Sequence, residues 1–365
     1  MQTNTPDALR RFALFGMGAR RKLLYRDGQL LDALSGELLR EWSVAAAEHE
    51  PGEYRVTLDL RGGGQVAIWE DEAATWLSEG GEAQRLSEGR VNLPRFGAHP
   101  QARLLRRLHH ELLVNIVPAG PVPNLLVYAK PWYRDAALVA MCLQRTGNLH
   151  LLADWIAGLR EPFDGNNGGN CEPDNLGQLL YMVSLVAPRS AGKVEGGKGA
   201  GGHPLVPEIL AAAEGFRRGD HIVGLTDGAE HPAYQTKWLK FGLRALGLPD
   251  PWVIPEVYDS YSALFWMDYR DEHVAGERFA SEGATLYPYL AWAGAHFHGW
   301  PPPSLVPPLG GESGGLEVFP LTWEAHASEA DYSRMAIVGP EYAQQRISVP
   351  HTWHAAEMFL YALDC

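Results

Sequence analysis

Glu357 is the odd member of an otherwise apolar run. His351-Thr-Trp-His-Ala-Ala-Glu357 leads into Met-Phe-Leu-Tyr-Ala-Leu, whose apolar residues repeat at helical spacing behind Pro350. On a helix over 351–363, Trp353, Glu357, Leu360 and Tyr361 share one face, because residues three and four apart are neighbours. A carboxylate set in such a stripe has either a buried partner, such as a structural Arg, or a proton to handle. Three other stretches concentrate polar chemistry at the start of an apolar run. Lys130-Pro-Trp-Tyr-Arg-Asp135 places Trp132, Arg134 and Asp135 in the first turn of a helix that Pro131 can open. An acid in that turn also suits the helix dipole, so a purely structural role stands beside the chemical one. Phe163–Asn175 is dense in Asp, Asn and Glu, including Glu172 and Asp174. Asn175 with Gln178 reads as a helix-capping pair, which leaves the other groups available to hydroxyls. Trp252-Val-Ile-Pro-Glu256-Val-Tyr-Asp259 precedes a further apolar run, and Asp259 is the better cap by position.

Several chemistries are set aside by the same residues. Gly192-Lys-Val-Glu-Gly-Gly-Lys198 approaches a phosphate-binding loop, but Gly199 stands where Ser or Thr would hold magnesium, and no strand precedes it. The histidine groups at 109–110, 296/298 and 351/354 lack acidic or thiolate partners at ligand spacing, so no metal and no cofactor is expected. A net charge of −13 repels a phosphate backbone, which argues against nucleic acid as a partner. Three cysteines without metal spacing or an even framework fit a reducing compartment. The first residues lack a signal-peptide pattern and no apolar run approaches a membrane span, so the expected location is the cytoplasm. The oligomeric state is not readable. Twelve tryptophans supply flat apolar faces of the kind that stack on sugar rings, although a large core absorbs many of them.

The elements that must position these groups fall into two compositions. Residues 1–97 read as a small antiparallel β unit. Asp27-Gly28 between apolar runs signals a hairpin, Tyr54–Leu60 alternates at period two, and Gln65–Glu70 follows a glycine turn. A short helix is expected at 71–77. Residues 98–365 read as helical, with candidate helices over 102–117, 130–146, 149–159, 175–187, 205–217, 232–246, 259–270, 283–298, 323–335 and 351–363. Several are apolar around much of their circumference, which favours burial on several sides in a helical toroid. The stretches 188–202 and 299–311 read as long connectors.

The order of the four motifs resembles the glucoamylase-like inverting glycosidases of the six-hairpin (α/α)6 superfamily. That family carries a Trp-x-Arg-Asp motif that holds the terminal sugar, an acidic helix start, a Trp-Glu-Glu loop with the general acid, and a Trp-x-His-Ala-Glu motif with the general base. The resemblance spans about residues 120–365. It implies a mainly α fold, an (α/α) toroid that is complete or trimmed, carrying the β unit at its N-terminal end. It also implies that Arg134, Asp135 and Trp132 bind sugar, with Glu172, Asp174, Trp353 and His354 also lining the substrate site. Glu357 would be the base and Glu256 the acid, with Asp259 as the other candidate because Pro255-Glu256 replaces the expected pair of glutamates. The implied reaction is hydrolysis of a glycoside by two carboxyl groups about 6.5–9.5 Å apart, one protonated and one ionised. Two other functions fit the same expected fold: a sugar epimerase using His296, His298, His351 and His354, and a non-catalytic carbohydrate-binding toroid.

Overall fold

The computed structural model describes residues 11–186, 203–257, 259 and 321–364. Of the expected elements, the helices over 259–270 and 283–298, His296, His298 and the connectors 188–202 and 299–311 lie outside the described residues. The chain divides into two compact units. The first comprises Met1–Lys130, Arg145–Leu151 and Ser304–Cys365, and the second Pro131–Gln144 and Leu152–Pro303.

In chain order, β1 (Ala13–Phe15), β2 (Leu23–Arg26), β3 (Gln29–Asp32) and β4 (Leu38–Glu41) form one antiparallel meander. A second follows, of β5 (Val44–Glu50), β6 (Arg55–Leu60), β7 (Gln65–Glu70), β8 (Ala74–Glu79) and β9 (Glu82–Glu88). Among the described residues the α-helices of six residues or more are α1 (Ala102–Val114), α2 (Tyr133–Arg145), α3 (His150–Ala157), α4 (Asp174–Val186), α5 (Val206–Gly215), α6 (Pro232–Leu246), α7 (Pro340–Gln345) and α8 (Thr352–Asp364).

The β-rich first unit follows directly from its sequence. Asp27 and Gly28, at φ 46° and 80°, make the two-residue turn that pairs Arg26 with Gln29. Phe15, Leu23, Leu30, Val56, Leu58 and Ile68 join in one buried core cluster, to which alternate residues of both meanders contribute. The helix expected at 71–77 is instead a turn and a strand. Asp71 Oδ1 accepts the backbone N–H groups of Ala73 (2.8 Å) and Ala74 (2.9 Å), which closes a side-chain turn and launches β8.

α1 forms where Leu104, Leu105, Leu108, Leu112 and Leu113 line up, and all five are fully buried. It stops at Val114, short of the expected 117. The Asn115 side chain donates to the Glu111 carbonyl (2.8 Å) and accepts from Leu125 N–H (2.8 Å), turning Ile116–Val117 into a strand paired with Gly120–Pro121. The helix expected over 323–335 is likewise absent. Glu324–Ala325 pairs with Ile347–Ser348, and a 3-10 turn at Tyr332–Ile337 follows.

The expectation of a mainly α toroid is therefore corrected. Among the described residues there are six antiparallel sheets, three of them short hairpins between helices and a fourth pairing Glu324–Ala325 with the distant Ile347–Ser348. Hairpins Arg217–Arg218/His221–Ile222 and Leu225–Thr226/Ala229–Glu230 fill the chain from α5 to α6, where a ring of paired helices needs only a turn. Periodicity marked the helices but could not register two-residue strands, which are too short to show a period. Among the described residues no helix is long and apolar enough to cross a membrane.

Candidate functional site

The second unit gathers three of the residues singled out above, Trp132, Glu172 and Asp174, around the guanidinium of a fourth, Arg134. Arg134 sits in the first turn of α2 and is 2% exposed. The helix starts at Tyr133 rather than at Pro131, because its first N–H is taken by Asp164 Oδ2 (2.8 Å) from the 163–175 loop. Arg134 Nη2 lies 3.0 Å from Asp227 and 3.9 Å from Glu172 Oε2, and its Nη1 lies 3.7 Å from Asp174 Oδ2. The Trp132 ring stacks against the guanidinium, 5.7 Å from centroid to carbon. Asp135 is buried in the same turn.

The carboxylates are held individually. Asn167 has left-handed backbone at φ 53°, and its amide donates to both Glu172 Oε1 (2.9 Å) and Asp227 Oδ1 (2.6 Å). Asp227 N–H donates to Glu172 Oε1 at 2.7 Å, so the two acids are bridged through backbone and amide. Asp174, fully buried at the start of α4, accepts from Thr226 Oγ1 (2.7 Å) and Gln178 Nε2 (2.8 Å). Gln178 thus serves Asp174 as well as the Asn175 amide, which donates to it at 3.2 Å, in place of a simple cap.

Their proton affinities differ from those of ordinary carboxylates. Burial, reinforced by the charge of Asp174, pushes Glu172 up to about 7, against the pull of Arg134, Asp227 N–H and Asn167. Burial also raises Asp174, opposed by Arg134, Thr226 and Gln178. The Asp227 side chain keeps 26% exposure. One guanidinium thus faces a buried acid with raised proton affinity and a second carboxylate open to water.

Sequence reasoning did not single out Asp227, Asn167 or Thr226. Asp227-Gly228 carries an ordinary hairpin signal and forms that turn, at φ 49° and 79°. The turn that hides Asp227 in the sequence is what aims it at Arg134.

The remaining expected residues lie elsewhere. Glu256 is exposed in a bend and lacks the burial a general acid uses. Asp259 is buried, and it caps a different helix from the one expected. Its Oδ2 accepts Tyr234 N–H of α6 (2.9 Å) and its Oδ1 lies 3.0 Å from His231 Nδ1. Glu357, Trp353 and His354 belong to α8 in the first unit, where Glu357 and His354 are buried and Trp353 is half-buried. There His351 Nε2 meets Glu324 Oε2 at 2.5 Å, and the His351 and His354 rings lie side by side with centroids 4.7 Å apart. Burial, helped by the charge of His351, holds His354 well below the usual imidazole range. Among the described residues no group of three or more His, Cys, Asp or Glu is arranged to hold a metal ion.

No protein-family description, curated protein or solved structure matches this chain.

Proposed function

We propose that the chain is a glycoside hydrolase whose sugar-binding and proton-donating groups surround Arg134. One observation carries this reading: Glu172 and Asp227 share Arg134 and Asn167, yet one is buried with its proton affinity raised and the other reaches water. Pairs of acids whose surroundings differ in this way divide the work of glycoside cleavage. Glu172 donates its proton to the glycosidic oxygen as the bond from the anomeric carbon to that oxygen breaks. Asp227 bonds the anomeric carbon as that oxygen leaves, and water then displaces Asp227 while giving its proton to Glu172. Two carboxylates held close together by one Asn167 amide favour this retaining course. Asn167 and Asp227 offer a donor and acceptors to ring hydroxyls, Trp132 offers an apolar face, and the fully buried Asp174 holds Arg134 in place.

The motif order gives the second carboxylate's part to Glu357 instead, as a base, and substitution separates the two assignments. The experiment is turnover of a panel of aryl glycosides and disaccharides by the full chain and by Glu172→Gln and Asp227→Asn. A substrate hydrolysed by the unmodified chain and slowed about 10²–10⁴-fold in Glu172→Gln is expected. Turnover by no member of the panel, or full activity in Glu172→Gln, overturns the proposal.

A further inference from the structure

The first unit holds a polar cleft of about 410 Å³ lined by Glu72, Arg90, Val91, Asn92, Gly147 and His150. Its scaffold is pinned. Asn92 and Asn148 exchange hydrogen bonds, Asn92 N–H to Asn148 Oδ1 (2.7 Å) and Asn148 Nδ2 to Asn92 carbonyl (2.8 Å). Asn92 Nδ2 donates to the Thr146 carbonyl at 2.6 Å. Gly147 is required beside it, since a Cβ there would stand 2.9 Å from that amide nitrogen and its φ is +74°. His150 Nε2 lies 3.3 Å from the Arg90 carbonyl.

Two opposite charges flank this cleft without meeting. Val91 N–H bonds the Glu72 carbonyl at 2.9 Å, so Glu72 and Arg90 spring from adjacent stretches of backbone. Glu72 Oε1 accepts Leu93 N–H (3.2 Å) and feels the charge of Arg95, and among the described residues neither Glu72 nor Arg90 has an opposite charge within ion-pair distance. Both are exposed, and the cleft lies at the small end of the range for ligand sites, about 300–1,000 Å³. Val91 is its one aliphatic side chain and four of its six residues carry polar or charged side chains, so a ligand gains there largely by charge and hydrogen bonding.

We infer that this cleft binds a small zwitterion, a free α-amino acid, whose carboxylate faces Arg90 and whose ammonium faces Glu72. A ligand with only one charge satisfies one wall and leaves the other unmatched. A neutral sugar matches neither, which distinguishes this site from the one around Arg134.

Calorimetric titration of the full chain tests the assignment, with L-glutamine and L-serine as probes and propionate, ethylamine and glucose as controls. Saturable binding of at least one amino acid in the millimolar range is expected, at about −4 kcal/mol for 1 mM. Arg90→Ala and Glu72→Ala should each weaken it by about fivefold, the worth of one solvent-accessible ion pair. Melting temperature checks that both exposed-site variants fold. The inference fails if neither amino acid binds, if propionate or glucose binds as well as they do, or if both folded variants bind like the unmodified chain.

Discussion

At the scale of single residues, Glu172 is the group whose behaviour separates chemistry from architecture. Its proton affinity is raised to about 7 by burial and by Asp174. As proton donor it works below that value, so kcat/KM should fall as pH rises through about 7. Glu172→Gln should abolish this limb along with the activity. The linkage to stability has the same sign. An acid whose folded value lies above its ordinary 4.5 favours the folded state most fully below 4.5, and that contribution is lost as pH rises through about 7. A pH–rate profile with no alkaline limb in this range would remove Glu172 from the donor role. Glu357 poses the complementary question. Buried on α8, it is either the base that the motif order implies or a structural acid. Glu357→Gln keeps shape and volume but cannot accept a proton from water. A loss of about 10²–10⁴-fold in turnover at unchanged melting temperature supports the base role. The structural role gives the reverse, a loss of about 3–5 kcal/mol with activity per folded molecule retained.

At the scale of elements, the closest helix pairing in the second unit depends on two glycines. α4 and α6 cross where Gly177 meets the backbone of Trp238, so that a Cβ on Gly177 would fall 2.1 Å from the Trp238 carbonyl carbon. A Cβ on Gly242 would fall 2.5 Å from the Gly177 carbonyl oxygen. Backbone cannot give way as a flexible side chain can. Gly177→Ala should therefore lower stability by about 1–3 kcal/mol or more through overpacking, outweighing the ~1 kcal/mol that alanine gains inside a helix. Chemical denaturation would read this loss, and a variant as stable as the unmodified chain would show that the helices separate at little cost. Because α4 also carries Asp174 and Gln178, parting it from α6 should disturb the Arg134 cluster. In the sequence Leu176-Gly-Gln-Leu-Leu shows only its apolar spacing. That reveals the helix, whereas the close approach that makes Gly177 necessary is set by a partner more than fifty residues away. The same distinction explains Asp259, whose cap on α6 could not be read from the run that follows it.

At the scale of the whole molecule, local patterns were legible and their assembly was not. The hairpin at Asp27-Gly28, the meander strands and the long helices follow from period and turn chemistry, and Arg134, Glu172 and Asp174 stand out by their place at the starts of apolar runs. What the apolar helices suggested about architecture was wrong, because a helix stripe says that it is buried and leaves open whether helix or sheet covers it. The buried charge network of the first unit was equally invisible in the sequence. There Glu70 Oε1 accepts from Met17 N–H (3.0 Å), Arg20 Nη1 (3.0 Å) and Thr75 Oγ1 (2.8 Å), and Oε2 lies 3.5 Å from His110. Arg20 continues to the carbonyls of Ala74, Asp71 and Gly89, tying the loop after β1 to the edges of β8 and β9. Burial alone would raise Glu70, but His110, Arg20 and the Met17 N–H together hold it down at about 2. A carboxylate depressed below its ordinary 4.5 lends stability that is present above 4.5 and is lost as pH falls through about 2. Acid titration of the far-ultraviolet signal should therefore show the first unit losing stability across this window. Glu70→Gln should flatten that dependence while costing about 3–5 kcal/mol at neutral pH, because Arg20 is left buried opposite an amide. Retention of the full acid dependence in Glu70→Gln would place the titrating group elsewhere, and Arg20 would then be held by its three carbonyls alone.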